Sequence, residues 1–280
     1  MSEVATALMK AAQTLSATGE TPRLDAELLM AHALQMERSD LLLRMRDLAV
    51  PPEFAALVQR RAAQEPVAYI RGYQDFWDLR IQVTPDTLIP RADSETLIEA
   101  AERHFKDAPP VRIADFGTGS GALLLAALSL FPDATGIGID ASEAALMVAQ
   151  SNADTLGFGE RSEFIHASWR DENWAGRLGV CDLILCNPPY VESTLTLMPS
   201  VQNYEPHSAL FAGPDGLDDY QILIPQIPAL LFGAGLAIFE IGAEQADAVS
   251  EIAKSAGLTA ATIADLAGKA RAVVMAADAR

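Results

Sequence analysis

The fold is decided by the stretch "VRIADFGTGSGALLLAALSLF", which runs from Val111 to Phe131. It reads as a short apolar strand, a glycine-rich turn and an apolar helix. Glycines let the backbone of such a turn adopt positive φ and approach a ligand closely. In an open α/β sheet, nucleotide-like ligands lie at the carboxyl ends of the strands. The stretch therefore predicts the first strand of a parallel sheet with a ligand site at its end.

Strands and helices alternate after this stretch. The strand candidates are "ATGIGID", "SEFIHAS", "CDLILCN" and "GLAIFEI", and helical segments such as "SEAALMVAQSNADTLG" separate them. That order predicts an α/β fold with a doubly wound parallel sheet and helices on both faces. The last two extended stretches, "TAATIAD" and "RAVVMAA", lie close together in the chain and predict an antiparallel pair at the sheet edge.

The first part of the chain has a different pattern. Residues 1 to about 72 contain only helical segments. The next segment, "FWDLRIQVTPDTLIPR", alternates with a period of 2 and predicts a hairpin with Pro85 and Asp86 in its turn. Asp93 or Ser94 is placed to cap the following helix. We therefore expect a helical domain at residues 1–74, a β-hairpin linker at 75–92 and an α/β domain at 93–280.

Composition limits the partners and the compartment. The chain has 20 basic and 38 acidic residues, and its net charge of −18 disfavours nucleic acid and favours a basic partner. It begins without a signal-peptide pattern, and no apolar run reaches the roughly 18 residues of a membrane span, so we expect a cytoplasmic protein. Cys181, Cys186 and the scattered histidines lack the spacing of metal ligands, so we expect free thiols and no metal site.

The glycine turn alone does not identify its ligand. Gly117, Gly119 and Ala122 also satisfy the G-x-G-x-x-A pattern of dinucleotide folds. Asp115, two residues before the first glycine, favours S-adenosylmethionine, because a carboxylate can neutralise the amino acid part of that cofactor. A dinucleotide instead needs a helix N-terminus that is free for its pyrophosphate.

Two further side chains follow predicted strands. Asp140 ends "TGIGID", where a carboxylate can accept both hydroxyls of a ribose, each bond contributing roughly 1.5–3 kcal/mol. Trp169, in "HASWRD", can flank an adenine ring. Both have structural alternatives, since Asp140 can cap the next helix and Trp169 can belong to the core.

The segment "CNPPY", Cys186 to Tyr190, ends the strand that should lie beside the first one. Pro188 and Pro189 stiffen the chain and hold Asn187 extended. The Asn187 amide oxygen and the Pro188 carbonyl are two acceptors that match the two N–H bonds of a planar NH2 group. Tyr190 can form a flat wall against that group. The segment predicts methylation of an amino or amide nitrogen.

Together these motifs resemble the HemK/PrmC family, the release factor glutamine N5-methyltransferases. The similarity runs from about residue 20 to the C-terminus and includes "PVAYIRGYQDFWDLRIQVTPDTLIPR", "DFGTGSG", "CNPPY", "EPHSALFAGPDGLDDY" and "DLAGKARAVVM". The NPPY signature alone is shared with adenine and guanine amino-methyltransferases. The resemblance implies a small all-helical substrate-recognition domain, a hairpin linker and a seven-stranded class I methyltransferase (Rossmann-like) domain.

The resemblance also implies the reaction and its residues. The substrate would be the glutamine of the GGQ motif in class 1 peptide chain release factors, and the enzyme would act as a monomer. Together with Asp115, the residues expected to bind S-adenosylmethionine are Gly117, Thr118, Gly119, Ser120, Gly121, Asp140, Trp169 and Asn187. The glutamine would meet Asn187, Pro188, Pro189 and Tyr190.

Other activities stay open at this point. An amino-methyltransferase acting on RNA or DNA bases would use the same NPPY chemistry, although the net charge argues against it. An NAD-dependent oxidoreductase would use the same glycine turn, and a catalytically silent scaffold would keep only the fold. The chain departs from the family pattern at Ser168, where an acid is common, and at Ala92, where a proline is common.

Overall fold

The computed structural model describes residues 2–265 and 267–277, so the predicted domain ends at residues 1 and 278–280 lie outside the described residues. Contacts divide the chain into two units. One comprises Met1–Tyr73 and Leu197–Tyr204, and the other comprises Gln74–Thr196 and Glu205–Arg280. Residues 197–204 thus group with the helical part of the chain, whereas the sequence assigned them to the range 93–280.

The elements of the described residues follow the order that the sequence predicted. The helices are α1 (Glu3–Leu15), α2 (Pro22–Ala33), α3 (Arg38–Arg44), α4 (Phe54–Ala62), α5 (Val67–Arg71), α6 (Glu95–His104), α7 (Ala122–Leu130), α8 (Glu143–Leu156), α9 (Pro199–Gln202), α10 (Asp218–Leu223), α11 (Ile227–Leu230) and α12 (Ala246–Ser255). The strands are β1 (Tyr73–Phe76), β2 (Leu79–Gln82), β3 (Arg112–Phe116), β4 (Thr135–Asp140), β5 (Ser162–His166), β6 (Cys181–Cys186), β7 (Leu231–Glu240), β8 (Leu258–Ala264) and β9 (Ala270–Ala277).

The helical unit packs the apolar faces of α1 to α5 around one core. Ser2 caps α1, since its hydroxyl accepts from the Ala5 amide at 3.2 Å. Beside the core, Arg61 Nε donates to Asp25 Oδ2 at 2.7 Å in a buried ion pair. No helix in the described part of the chain combines the length and the apolar composition needed to cross a bilayer.

The predicted hairpin is present, but its turn was predicted wrongly. β1 and β2 form a two-stranded sheet whose turn consists of Trp77 and Asp78, and Pro85 and Asp86 lie in a second turn beyond β2. Trp77 has a φ of 55°, which is rare for a bulky side chain, and its amide donates to Glu95 Oε1 at 2.8 Å. The hydrogen bond to Glu95 on the next helix therefore stabilises a turn at Trp77 that the local sequence does not predict.

The second unit contains a seven-stranded sheet in the order β5-β4-β3-β6-β7-β9-β8. β3 to β7 run parallel, and β9 is antiparallel to both of its neighbours. The predicted doubly wound fold and the antiparallel edge pair are therefore confirmed. The chain proceeds outward from β3 through β4 to β5 and then returns to the other side of β3 with β6. The carboxyl ends of β3 and β6 thus meet at the topological switch point.

The centre of the sheet is buried. Almost all residues of β3 and β6 are inaccessible to solvent, which is typical of parallel strands covered by helices. Cys181 and Cys186 are buried free thiols at the two ends of β6. Beyond β6, Val191 pairs with Phe211, and the Val191 amide donates to the Leu210 carbonyl at 2.8 Å. This bridge holds the segment after β6 next to residues 205–212.

Asn152, buried on α8, connects the hairpin to the glycine turn. Its Oδ1 accepts from the Gln82 amide at 2.8 Å. Its Nδ2 donates to the carbonyls of Gln82 at 3.0 Å and Ser120 at 2.9 Å. The Asn152 side chain therefore hydrogen-bonds main-chain groups of both the hairpin and the glycine turn, which are far apart in the sequence.

We expect Asn152→Ala to lower the free energy of unfolding of the second unit by about 2–4 kcal/mol, because it leaves the buried Ser120 carbonyl and the two main-chain groups of Gln82 without these partners. The tryptophans at 77, 169 and 174 all lie in this unit, so urea unfolding followed by tryptophan fluorescence reports on it. Asn173→Gly, which removes an exposed amide at a φ of 61°, is the matched control and should stay within about 0.5 kcal/mol of the parent. Equal stability of the two variants would contradict the role of Asn152.

Candidate active site

A cavity of about 630 Å³ opens at the carboxyl ends of β3, β4 and β6. The predicted site residues that line it are Gly117, Thr118, Gly119, Ser120, Asp140, Trp169, Asn187 and Pro189. The predicted site residues outside its lining are Asp115, Gly121, Pro188 and Tyr190. The fold thus gathers residues from separate segments of the chain at one cavity.

The glycine turn has a conformation that requires glycine. Gly117 has a φ of 72° and Gly121 a φ of 83°, a region that is strained for residues with a side chain. A Cβ on Gly117 would lie 3.2 Å from Cη2 of Trp169, so the indole packs directly over the turn. The amides of Gly117 and Thr118 donate to the Ile139 carbonyl at 2.8 and 2.9 Å, which ties the turn to β4.

Asp140 presents its carboxylate to the cavity. Its Oδ2 accepts from the Gly119 amide and its Oδ1 from the Ser142 amide, both at 2.9 Å. Ser142, not Asp140, caps α8, since its hydroxyl accepts from the Ala145 amide at 3.2 Å. Burial raises the pKa of Asp140. Each carboxylate oxygen keeps a further lone pair, so Asp140 can accept hydroxyl groups of a ligand.

Trp169 is held by an acid that sequence reasoning missed. Its indole Nε1 donates to Asp219 Oδ1 at 2.7 Å, and the same oxygen accepts from Arg170 Nη2 at 2.6 Å. Asp219 is buried at the start of α10 and lines the cavity, as Ser168 also does. The fixed indole face, together with the Asp140 carboxylate, suits a ligand that carries a ribose and a planar ring.

Asp115 lies behind the glycine turn. Its Oδ2 accepts from the Thr118 hydroxyl at 2.7 Å, and within the described residues its buried Oδ1 has no hydrogen-bond partner. Burial raises the pKa of this carboxyl to about 7. An unsatisfied carboxylate at this place costs stability and favours a ligand with positive charge.

Asn187 directs its amide nitrogen toward Ser94. Nδ2 donates to Ser94 Oγ at 3.4 Å, which leaves the amide oxygen as the acceptor for a group in the cavity. Pro188 and Pro189 are both buried, and Pro189 lines the cavity. Tyr190 is half-buried and donates to Glu240 Oε1 at 3.3 Å, and burial raises the pKa of its hydroxyl.

Ser94 and Glu240 were not predicted as site residues. Ser94 occupies the N-cap position of α6, but its hydroxyl makes no capping bond and donates to Glu240 Oε2 instead, so its predicted capping role was wrong. Glu240 is only 2% exposed, and burial raises its pKa to about 7. An acid at the end of the apolar run "GLAIFEI" was a usable signal, because glutamate is rarely buried without a partner.

Glu205 was also missed. It is buried, and its carboxylate accepts from the Ile89 amide at 3.1 Å and from the Arg91 guanidinium. These residues belong to "LIPR" and "EPHSAL", the two segments whose combination with NPPY carried the resemblance. The bonds hold the segment after the hairpin against the segment that follows residue 204.

Comparisons with known proteins identify similar sequences and similar folds. Residues 6–72 match the family described as the PrmC N-terminal domain, and residues 108–212 match a methyltransferase domain. The release factor glutamine methyltransferase of Bradyrhizobium diazoefficiens is 41% identical over 94% of this chain and 91% of its own length. That of Cereibacter sphaeroides is 41% identical over 96% of each chain. A methyltransferase from Pyrococcus furiosus shares the fold, with a TM-score of 0.52 at 16% identity over 71% of this chain and 88% of its own.

The buried Asp115 carboxyl yields a prediction about stability and pH. Its pKa is raised to about 7 in the folded chain, so folding binds a proton that the unfolded chain releases, and stability falls as pH rises from about 4 to about 7. We expect Asp115→Asn to be more stable than the parent by about 1–3 kcal/mol at pH 8, with little difference at pH 4. Urea unfolding followed by tryptophan fluorescence at the two pH values measures this.

Asp133→Asn is the control, because Asp133 is exposed at the start of the loop before β4. It should change stability by less than about 0.5 kcal/mol at either pH. If Asp115→Asn is less stable than the parent at pH 8, the carboxylate is not destabilising in the way its burial indicates.

Proposed function

Because this chain belongs to the release factor glutamine methyltransferase family, we propose that it methylates the side-chain amide nitrogen (N5) of the glutamine in the GGQ motif of class 1 peptide chain release factors. The family assignment rests on relatives at 41% identity over nearly the whole chain. The observation that carries the proposal is the position of Asn187, whose amide oxygen is available as an acceptor beside the glycine turn. An acceptor at this place suits an N–H substrate and does not suit hydride transfer.

We propose S-adenosylmethionine as the methyl donor. Its sulfonium supplies an electrophilic methyl group. The chain's residues fit its parts: the turn from Gly117 to Gly121 admits a closely approaching ligand, Asp140 has lone pairs for ribose hydroxyls, and Trp169 offers a flat face for adenine. Asp115, with its unsatisfied buried oxygen, places negative charge behind the turn, where a cationic ligand would be favoured.

The substrate amide would be held by Asn187 and Pro188. Their two carbonyl oxygens can accept the two N–H bonds of the glutamine side chain, and buried prolines keep both acceptors in place. An amide nitrogen is a weak nucleophile because its lone pair is delocalised. Acceptors that bind the charge-developing nitrogen more strongly than the planar amide lower the barrier. Tyr190 would limit the substrates that fit, and the amide proton would leave to water.

The charge of the chain supports a protein substrate. A net charge of −18 complements a basic partner and repels a phosphate backbone. We therefore propose that the protein acts as a monomer in the cytoplasm on release factors and not on nucleic acid. The helical unit, predicted at residues 1–74, would supply the recognition surface.

The test is transfer of labelled methyl from S-adenosylmethionine to a purified release factor, with mass spectrometry locating one methyl group on the GGQ peptide. We expect Asn187→Ala to lower the transfer rate by about 100-fold or more, because it removes an acceptor used in the transition state. Binding of S-adenosylmethionine, measured by calorimetry, should weaken far less than the transfer rate falls, because the other residues expected to bind it, from the glycine turn to Trp169, are unchanged. Asn173→Gly, at an exposed position, should transfer methyl at the parental rate.

Label in nucleic acid but not in release factor would replace this function with base methylation. Undiminished transfer by Asn187→Ala would remove Asn187 from the reaction.

A further inference from the structure

Three side chains from distant parts of the sequence form a chain of hydrogen bonds that leads from the cavity wall, which Asn187 and Ser94 line, to the buried Glu240. Asn187 Nδ2 donates to Ser94 Oγ at 3.4 Å, and the Ser94 hydroxyl donates to Glu240 Oε2. We refer to Asn187, Ser94 and Glu240 as the amide relay. Tyr190 donates to the other oxygen of Glu240 at 3.3 Å. The relay therefore begins at the substrate acceptor and ends at a buried carboxyl group.

The single hydroxyl proton of Ser94 determines which group donates and which accepts in each hydrogen bond of the relay. An ionised carboxylate can only accept, so the single hydroxyl proton of Ser94 must point at Glu240. Ser94 Oγ then has only lone pairs to offer to Asn187, and Asn187 must turn its NH2 group toward it. The Asn187 oxygen consequently faces the other way.

We propose that Glu240 is a positioning residue that acts through Ser94 to hold the Asn187 amide with its oxygen toward the substrate nitrogen. This inference rests on the proposed function and assigns a role to Ser94 and Glu240, which the reaction described above does not use. The two ends of an asparagine amide have nearly the same shape, so packing cannot choose between them. Rotated by half a turn, Asn187 would present N–H bonds to the N–H bonds of the substrate and bind it poorly.

The groups around Glu240 do not compensate for the burial of its carboxylate, so Glu240 does not stabilise the fold. The charged and titratable groups that face it are Asp93, Cys186, Tyr190, Tyr220 and Arg271.

Arg271 is the cation of this set, and it is already paired with Asp93 at 2.8 Å and with Asp265 at 2.9 Å. Within the described residues, Glu240 forms no ion pair of its own. A buried carboxylate without a cation is costly, and an amide or an apolar side chain would be more stable there. What neither replacement supplies is a group that accepts on both oxygens. The relay needs such a group because Tyr190 donates to the other oxygen. An amide that kept its oxygen toward Tyr190 would turn its NH2 group to Ser94 and the Ser94 proton toward Asn187.

The relay predicts how activity responds to mutation. Glu240→Gln keeps the shape of the side chain but adds a donor, and Ser94→Ala removes the link. Each should lower kcat for release factor methylation by about 10–100-fold, since a misoriented catalytic group costs about that much. The KM for release factor and the Kd for S-adenosylmethionine should stay within about twofold of the parent. The double variant should be no slower than Ser94→Ala alone, because Glu240 acts through Ser94.

The relay also predicts a pH dependence. Burial raises the pKa of Glu240 to about 7, and its protonated form can donate to Ser94 and release Asn187. In the parent, kcat should therefore rise with pH through about 7 and level off above it. Asp115 titrates in the same range, so Ser94→Ala is measured in parallel. The part of the rise that belongs to Glu240 should be absent in that variant.

Tyr220→Phe is the matched control. Tyr220 donates to the main-chain carbonyl of Glu240 at 2.7 Å, so its loss weakens the same strand end without touching the carboxylate. It should keep the parental kcat and pH profile. Parental kcat in Glu240→Gln, or effects of Glu240→Gln and Ser94→Ala that multiply in the double variant, would overturn the proposal.

A spectroscopic measurement separates failure of the relay from failure of the proposed function. The chain has asparagines only at 152, 173, 187 and 203, so selective 15N labelling gives few side-chain amide signals to assign. The Asn187 signals should titrate near pH 7 in the parent and not in Glu240→Gln. If they titrate while the parent fails to methylate a release factor, the function is wrong and the relay stands. If they do not titrate, the relay is wrong whatever the substrate.

Discussion

The parallel pairing of β3 with both β4 and β6 is the constraint on which the remainder of the site depends. Parallel strands end at the same edge of a sheet, so the glycine turn, Asp140 and Asn187 reach one place because their strands are neighbours. None of these residues could be brought there by local structure. β7 extends the same edge, because Phe239 lies opposite Cys186, and Glu240 follows it beside Asn187. The order of strands thus brings the residues proposed to bind the cofactor and those proposed to bind the substrate to one cavity.

Several carboxylates that accept hydrogen bonds lie at this edge of the sheet, and burying them lowers the stability of the fold. Asp115 and Glu240 are buried, and in the described part of the chain neither forms an ion pair. Asp140 and Asp219 are engaged by main-chain and side-chain donors, and they still line the cavity. The proposed reaction, with a cationic methyl donor and an N–H substrate, would need such groups before either ligand binds. Apolar or amide side chains at these positions would make the fold more stable, but they would not hold acceptors in place for the ligands.

Sequence reasoning identified the features that have a local pattern. Short segments of the sequence show the alternation of strands and helices and the glycines of the turn. They also show the polar residues Asp140 and Asn187 at the ends of two strands, and the structure has the turn and both residues at the same edge of the sheet. The missed features are contacts between residues far apart in the chain. Ser94 looked like a helix cap because Ser at such a position usually is one, and its real partner lies 146 residues away. The hairpin turn at Trp77 was missed because its stabilising bond comes from Glu95.

The bond between Ser94 and Glu240 also determines when, during synthesis, the site can be completed. Chains emerge from the ribosome in order, and domains fold as their last essential strand becomes available. A nascent chain that ends before residue 240 already contains the glycine turn, Asp140 and Asn187, but it lacks the carboxylate 146 residues beyond Ser94. The proposed relay is therefore available only to a chain that has been translated through the end of β7, and a prematurely terminated copy lacks it even though it contains the NPPY segment.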